Sequence, residues 1–227
     1  MIRKSIVMVL ALGTAITLGC NRAPDLSAAH EFSTSKVLGS IDIPSGEHTG
    51  DVSTVNGGVH IGSDAIVGHA HSVNGNVRLD SRATATDAGT INGSVDVRDG
   101  ARVTGNVHTI NGSMHVSDAA DVSGTVSNVN GSIRIAAAHV GGSIDTTNGN
   151  IDLGPNAHID GNVVMHENNG RLDSDSNIPH VVVERGTVVK GTLRFERPVR
   201  LYVSDRASIG TVQGASVVRF SGDGPPE

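Results

Sequence analysis

The stretch NGSVDVRDGARVTGNVHTINGSMHV, residues 92–116, decides the fold. It holds one complete unit and the start of the next. Asn92-Gly93 is followed by Val95 and Val97 with one residue between them, and Asn111-Gly112 is followed in the same way by Met114 and Val116. Apolar residues two apart are the signature of a short strand with one buried face. Working outward, the motif recurs with asparagine at 56, 74, 92, 111, 130, 148 and 169, at spacings of 18, 18, 19, 19, 18 and 21. The paired aliphatics that follow are Val59 and Ile61, Val77 and Leu79, Val95 and Val97, Met114 and Val116, Ile133 and Ile135, and Ile151 and Leu153. A second signature, glycine with an aliphatic two residues on, precedes most of them: Gly50 and Val52, Gly105 and Val107, Gly124 and Val126, Gly142 and Ile144, Gly161 and Val163. The stretches around Val103, Val122, Val140 and Ile159 supply a third strand. With degenerate copies at Gly39–Ile43, Gly191–Phe195 and Gly214–Val217, ten copies lie between residues 38 and 221.

Two architectures can make such a pattern. Asn-Gly between alternating apolar runs is a strong hairpin signal and would give an antiparallel meander. A parallel β-solenoid fits better: three faces of about six residues make an 18-residue coil with glycine at its corners, and each coil buries its apolar face on the next. The expected fold is all-β, a single-stranded parallel β-helix of about ten rungs of 18–19 residues. Stacked at about 4.8 Å per rung, ten rungs give a rod on the order of 45 Å long. Asn56, Asn74, Asn92, Asn111, Asn130, Asn148 and Asn169 are expected to form an internal ladder at one corner, each amide bonded to the next. Asparagine ladders of this kind resemble those of right-handed parallel β-helices, which implies that hand.

Composition agrees and excludes other classes. Glycine supplies 29 residues, while Trp, Tyr and Phe together supply 4, so the interior is aliphatic and small and an aromatic-lined enzyme pocket is excluded. With 17 Lys and Arg against 23 Asp and Glu, the net charge of −6 argues against nucleic acid as a partner.

Residues 1–19 read as an export signal: Arg3 and Lys4, an apolar run Ile6–Leu18, then Leu18-Gly19-Cys20. The end of this segment resembles a bacterial lipoprotein lipobox. That resemblance implies cleavage before Cys20 and a lipid on its thiol, with Thr17 as a departure from the usual aliphatic residue. Asn21 in place of an aspartate then implies an outer-membrane destination, periplasmic or surface-facing. Cys20 is the single cysteine, so no disulfide framework exists. Residues 20–37 are expected to be the lipidated cysteine and a flexible tether, 38–221 the solenoid, and 222–227 a disordered tail. The array over 38–220 resembles the short-repeat β-solenoids of adhesin-like bacterial envelope lipoproteins and, more distantly, the polymer-forming bactofilins. The resemblance implies a non-catalytic structural, adhesive or scaffolding role. Its implied partners are the membrane through the lipid, a glycan or envelope protein, and other copies of the chain added end to end.

Three constellations were weighed for chemistry. The outward positions between paired aliphatics run Asp42, His60, Arg78, Asp96, His115, Arg134, Asp152, which sets Arg78 beside Asp96 and Arg134 beside Asp152 as register-fixing pairs. Among eleven histidines, His69 and His71 share a strand face. His71 and His108 fall two rungs apart, about 9–10 Å, too far for one zinc. No metal and no cofactor is expected. Arg171, Asp173 and Asp175, beside an inserted segment 174–180, are the best acid–base cluster and carry the alternative of a carbohydrate-active β-helix or glycan-binding module. Threonines form no column of the kind an ice-binding array needs, and the glycines follow the rung period, not the start of a helix. Phe195, Tyr202 and Phe220 with Arg194, Arg197 and Arg200 are expected to close the C-terminal end.

Overall fold

The computed structural model of the chain describes residues 32–168, 178–222 and 224. The signal segment, Cys20, Asn169, Arg171, Asp173, Asp175 and most of the expected tail lie outside the described residues. Over the described residues the regular structure is β-strand, stacked as a parallel β-solenoid of ten turns.

Each turn has three faces. The first is a ten-stranded parallel sheet, six of whose strands follow the Asn-Gly motif: Ile41–Ile43, Val59–Ile61, Val77–Leu79, Val95–Val97, Met114–Val116, Ile133–Ile135, Ile151–Leu153, His180–Val183, Arg200–Ser204 and Val217–Phe220. Its register places like on like, with Val59 on Val77, Val77 on Val95 and Val95 on Met114. The other two faces belong to one sixteen-stranded sheet. Strands Ile66–Asn74 and Thr84–Asn92 run unbroken round the bend between them, whereas the following turns split there into pairs such as Arg102–Val103 and Val107–Asn111.

The alternation read from the sequence decides what goes inside. One turn buries Val77, Leu79, Ala83, Ala85, Ala88 and Thr90; the next buries Val95, Val97, Ala101, Val103, Val107 and Thr109. Branched aliphatics fill the faces. Alanine recurs at the first corner (Ala65, Ala83, Ala101, Ala120, Ala138, Ala157), and in the next turn Thr187 takes the same buried place, its hydroxyl donating to the Gly154 carbonyl at 2.7 Å. That corner also forces the left-handed region on the preceding residue: Asp64, Arg82, Ala119 and Asn156 have φ of 56–61°, and Gly46, Gly100 and Gly186 take the same place at 67–73°. Asp64 and Arg82 stack there and pair through two bonds of 2.7 Å.

The Asn-Gly corner differs from expectation in an instructive way. The amides do form a ladder, Asn74 Nδ2 donating to Asn56 Oδ1 at 3.0 Å and so on through Asn92, Asn111, Asn130 and Asn148, but its members from Asn56 to Asn130 are exposed. The buried polar column lies two residues earlier: Thr54, Ser72, Thr90, Thr109 and Asn128. Each of the four hydroxyls donates to the carbonyl of a corner glycine in the preceding turn (Gly39, Gly57, Gly75, Gly93) at 2.8–3.0 Å. The backbone bends after the hydroxyl residue, so the asparagine leaves the interior although it keeps the parity of an inward position. At Gly131, with φ of 127°, an added Cβ would overlap the Gly112 carbonyl one turn below, which is why the corner glycine follows every ladder asparagine.

Two boundaries also move. Thr34–Leu38, expected in the tether, is a strand paired in parallel with Val52–Asn56, and Phe32 already accepts bonds from Thr49 and Gly50. The open edge of the first full turn recruits it. After Ile151–Leu153 the first face resumes at His180–Val183, with Ile151 on Val181, so that turn takes 30 residues and not 21. Beyond Asn148 the ladder continues into a guanidinium: Arg197 Nη1 donates to Asn148 Oδ1 at 2.8 Å and to the Thr147 carbonyl at 3.0 Å. Met165 and Phe195 replace the hydroxyl column toward the C-terminal end, where Phe195 and Phe220 are buried, while Tyr202 points outward on the first face.

Candidate functional site

Most turns repeat one backbone trace, so they differ from one another chiefly in their outward columns and at the long turn. On the first face the column reads Asp42, His60, Arg78, Asp96, His115, Arg134, Asp152, then Val182, Tyr202 and Val218. Arg134 meets Asp152 at 3.2 Å, as its register dictates. Arg78 instead turns along its own strand to Asp80, Nε to Oδ1 at 2.9 Å, away from Asp96. Asp80 sits two residues on, on the same outward side, and also binds His60 at 2.7 Å. Burial alone would raise the Asp80 carboxyl, but the bonds from His60 and Arg78 hold it below the usual carboxylate range.

The second face carries a denser network. Asp121, His139 and His158 stack there, with His139 bonded through Nδ1 to Asp121 at 2.6 Å and through Nε2 to Asp160 at 3.2 Å. Asp160 is also met by Lys190 at 2.7 Å and by His158 Nε2 at 3.4 Å. The Asp121 bond, opposed by partial burial and helped by Asp160, raises His139 above the ordinary histidine value. Lys190, then His139, push Asp160 down to about 2.

Beside the long turn, the first face opens into a cleft of about 430 Å³ whose lining includes His115, Ser132, Arg134, Asn150, Asp152 and His180. It runs on into two neighbouring hollows, one that shares Arg134, Asp152 and His180 with it and reaches Glu184, and one that shares Ser132, Asn150 and His180 and reaches Arg197. His180 stands at 3.7 Å from Asp152, which is thus flanked by His180 and Arg134. Arg171, Asp173 and Asp175, read as the acid–base cluster, lie outside the described residues.

The third face corrects the separation of the histidines. His71 and His108 both align with Gly89, one turn below and one above. Their ring centroids are 5.3 Å apart, because the glycine leaves no side chain between them and the His108 ring occupies the space its Cβ would take. His69 lies 6.0 Å from His71 on the other side, nearly parallel to it. Among the described residues, no group of three or more His, Cys, Asp or Glu is placed so that it could hold a metal ion.

One surface feature was not read from the sequence. The residue before each ladder asparagine from Asn56 to Asn130 is aliphatic and points out: Val55, Ile91, Ile110 and Val129 are 39–43% exposed, with Val73 half-buried between them. Together with the asparagines they make a straight ridge along the Asn-Gly corner, apolar on one side and amide on the other. The signal was present in the recurring Val/Ile-Asn-Gly triplet.

No family model, no curated protein and no solved structure matches this chain.

Proposed function

We propose that the chain is a non-catalytic, lipid-anchored β-solenoid of the bacterial cell envelope, held at the outer membrane through Cys20, with a structural, adhesive or scaffolding role. The observation that carries this reading is the ridge of Val55, Val73, Ile91, Ile110 and Val129 beside the asparagine ladder. A solenoid holds such a row at fixed spacing over many turns, which suits contact with an extended partner surface. Exposed aliphatics in a contiguous row mark interaction sites more often than scattered ones do. The test is cosedimentation of the full chain with purified cell-wall sacculi and with outer-membrane vesicles. Ile91→Asp with Ile110→Asp, which places two charges mid-ridge without entering the core, is expected to reduce binding at least fivefold. Equal binding by this variant would remove the ridge from the reading.

A second reading is a glycan-binding or carbohydrate-active β-helix, favoured by the cleft around Arg134, Asp152 and His180. It requires Asp173→Asn with Asp175→Asn to abolish turnover of a glycan that the parent chain cleaves. Turnover that survives both changes, or is absent in the parent, counts against it.

A further inference from the structure

We infer that the C-terminal end of the first face holds a binding site for a carboxylate-bearing sugar of the hexuronate class, with Tyr202 as the platform for the ring and Arg200 as the partner of the carboxylate. The two are alternate residues of strand Arg200–Ser204, and Leu201 between them is buried, so both leave the sheet outward. With Ala215, Ser216 and Val218 they line an open hollow of about 700 Å³. The space exists because Gly214-Ala215-Ser216, the run that leads into the last strand, carries almost no side chain. The hollow shares no lining residue with the cleft around Asp152, and the site stands whether or not the chain carries a lipid.

Tyr202 is the one tyrosine of the chain, and its neighbours along the outward column are Val182 below and Val218 above. A phenol ring between two valines makes a flat apolar strip that the C–H face of a pyranose can cover, while its hydroxyl stays at the tip for a sugar hydroxyl. Arg200 is exposed and, among the described residues, its guanidinium makes no hydrogen bond or ion pair. Arg78, Arg82, Arg134 and Arg194 differ in this respect, since each meets a carboxylate. A guanidinium without a partner offers two parallel donors to a carboxylate from outside. Alternate residues of a strand stand about 7 Å apart, so a ring resting on Tyr202 brings a carboxylate on its edge within reach of the long Arg200 side chain. The charge of the chain reverses in the same place: residues 178–222 hold seven Lys and Arg against three Asp and Glu, whereas residues 32–168 hold six against fourteen. An acidic polymer is therefore repelled along most of the solenoid and attracted to this end. A neutral glycan gains nothing from that reversal, and a run of acidic residues in a peptide has no ring face to lay on Tyr202.

The experiment is calorimetric titration of the full chain in detergent, at low salt and pH 7.5, with a hexamer of β-1,4-mannuronate. Its carboxyl-reduced counterpart, mannohexaose, and a hexaglutamate peptide serve as the neutral and the non-sugar probes. The expected result is saturable binding of the mannuronate hexamer, at least tenfold tighter than that of either other probe. Arg200→Gln should weaken it at least tenfold and Tyr202→Thr at least fivefold, both with the circular dichroism of the parent because neither side chain enters the core. Arg78→Gln, on the same face but held by Asp80, should bind as the parent does. No saturable binding of the mannuronate hexamer, or parent-like affinity in Arg200→Gln, overturns the inference. Equal binding of hexaglutamate overturns the sugar assignment and marks a general polyanion surface, and equal binding of mannohexaose overturns the role of the carboxylate.

Discussion

Replacing Thr109 by valine separates the two polar columns of the Asn-Gly corner and weighs them against each other. Thr109 is 3% exposed, and its hydroxyl donates to the Gly93 carbonyl at 3.0 Å. Valine keeps the shape but cannot donate, so it leaves that buried carbonyl short of a partner at a cost of about 1–3 kcal/mol, offset by less than about 1 kcal/mol for burying a methyl in place of the hydroxyl. Asn111→Ala removes two bonds, one to Asn92 at 3.0 Å and one from Asn130 at 2.9 Å. Those amides face water, which replaces both bonds, so the expected cost is about 0.5–1 kcal/mol in total. Equilibrium unfolding in urea, with the denaturant slope checked for constancy, measures both on the same scale. The expected order is Thr109→Val more damaging than Asn111→Ala. The reverse order would mean that the amides lie inside and the hydroxyls outside, and would refute the reasoning.

The remaining expectations concern the corner glycines, the titrating network and the C-terminal edge. Gly131→Ala would drive a Cβ into the Gly112 carbonyl and force a residue with φ of 127°, so it should lower the unfolding midpoint far more than Ala136→Gly on the first face. His139, raised by Asp121 and Asp160, stabilises the fold most fully below the free histidine value near 6.5, and this contribution is lost as pH rises through the elevated value. His71 is lowered, so its contribution is present at neutral pH and lost on acidification. Ring-proton titration by NMR should place His139 above His71, and the opposite order would contradict the two environments. Val217 and Val218, 37% and 45% exposed on the last strand of the first face, make an edge to which a second copy can add. Light scattering over a concentration series should show end-to-end growth that Val218→Lys suppresses, whereas a monomer at all concentrations would exclude stacking.

The fold was legible because periodicity survives every detail of side-chain chemistry. Val95, Val97, Val103 and Val107 fall on three faces of one turn at the positions their alternation implies, and they are buried. What failed was parity carried through a corner. Thr109 and Asn111 are two apart, as inward neighbours on a strand would be, yet the chain bends between them and only Thr109 enters the interior. The same bend turns Ile110 outward and produces the ridge. Side-chain lean was invisible for a related reason: a two-turn separation of His71 and His108 assumes that each ring stands upright, and Gly89 removes the neighbour that would keep it so. The spacing to Asn169 implied a turn of 21 residues, while the first-face register resumes at His180–Val183. Arg78 could not be assigned to Asp80 over Asp96 from the sequence, since both stand within reach of a long flexible side chain.

Metabolic labelling with a radioactive or clickable fatty acid tests the proposed attachment of the chain to a membrane through Cys20. The full chain expressed in a bacterial host should take up label and sediment with the outer-membrane fraction, while Cys20→Ser should take up none and leave that fraction. Label retained by Cys20→Ser, or a parent chain that is unlabelled and recovered free of membrane, would contradict the account.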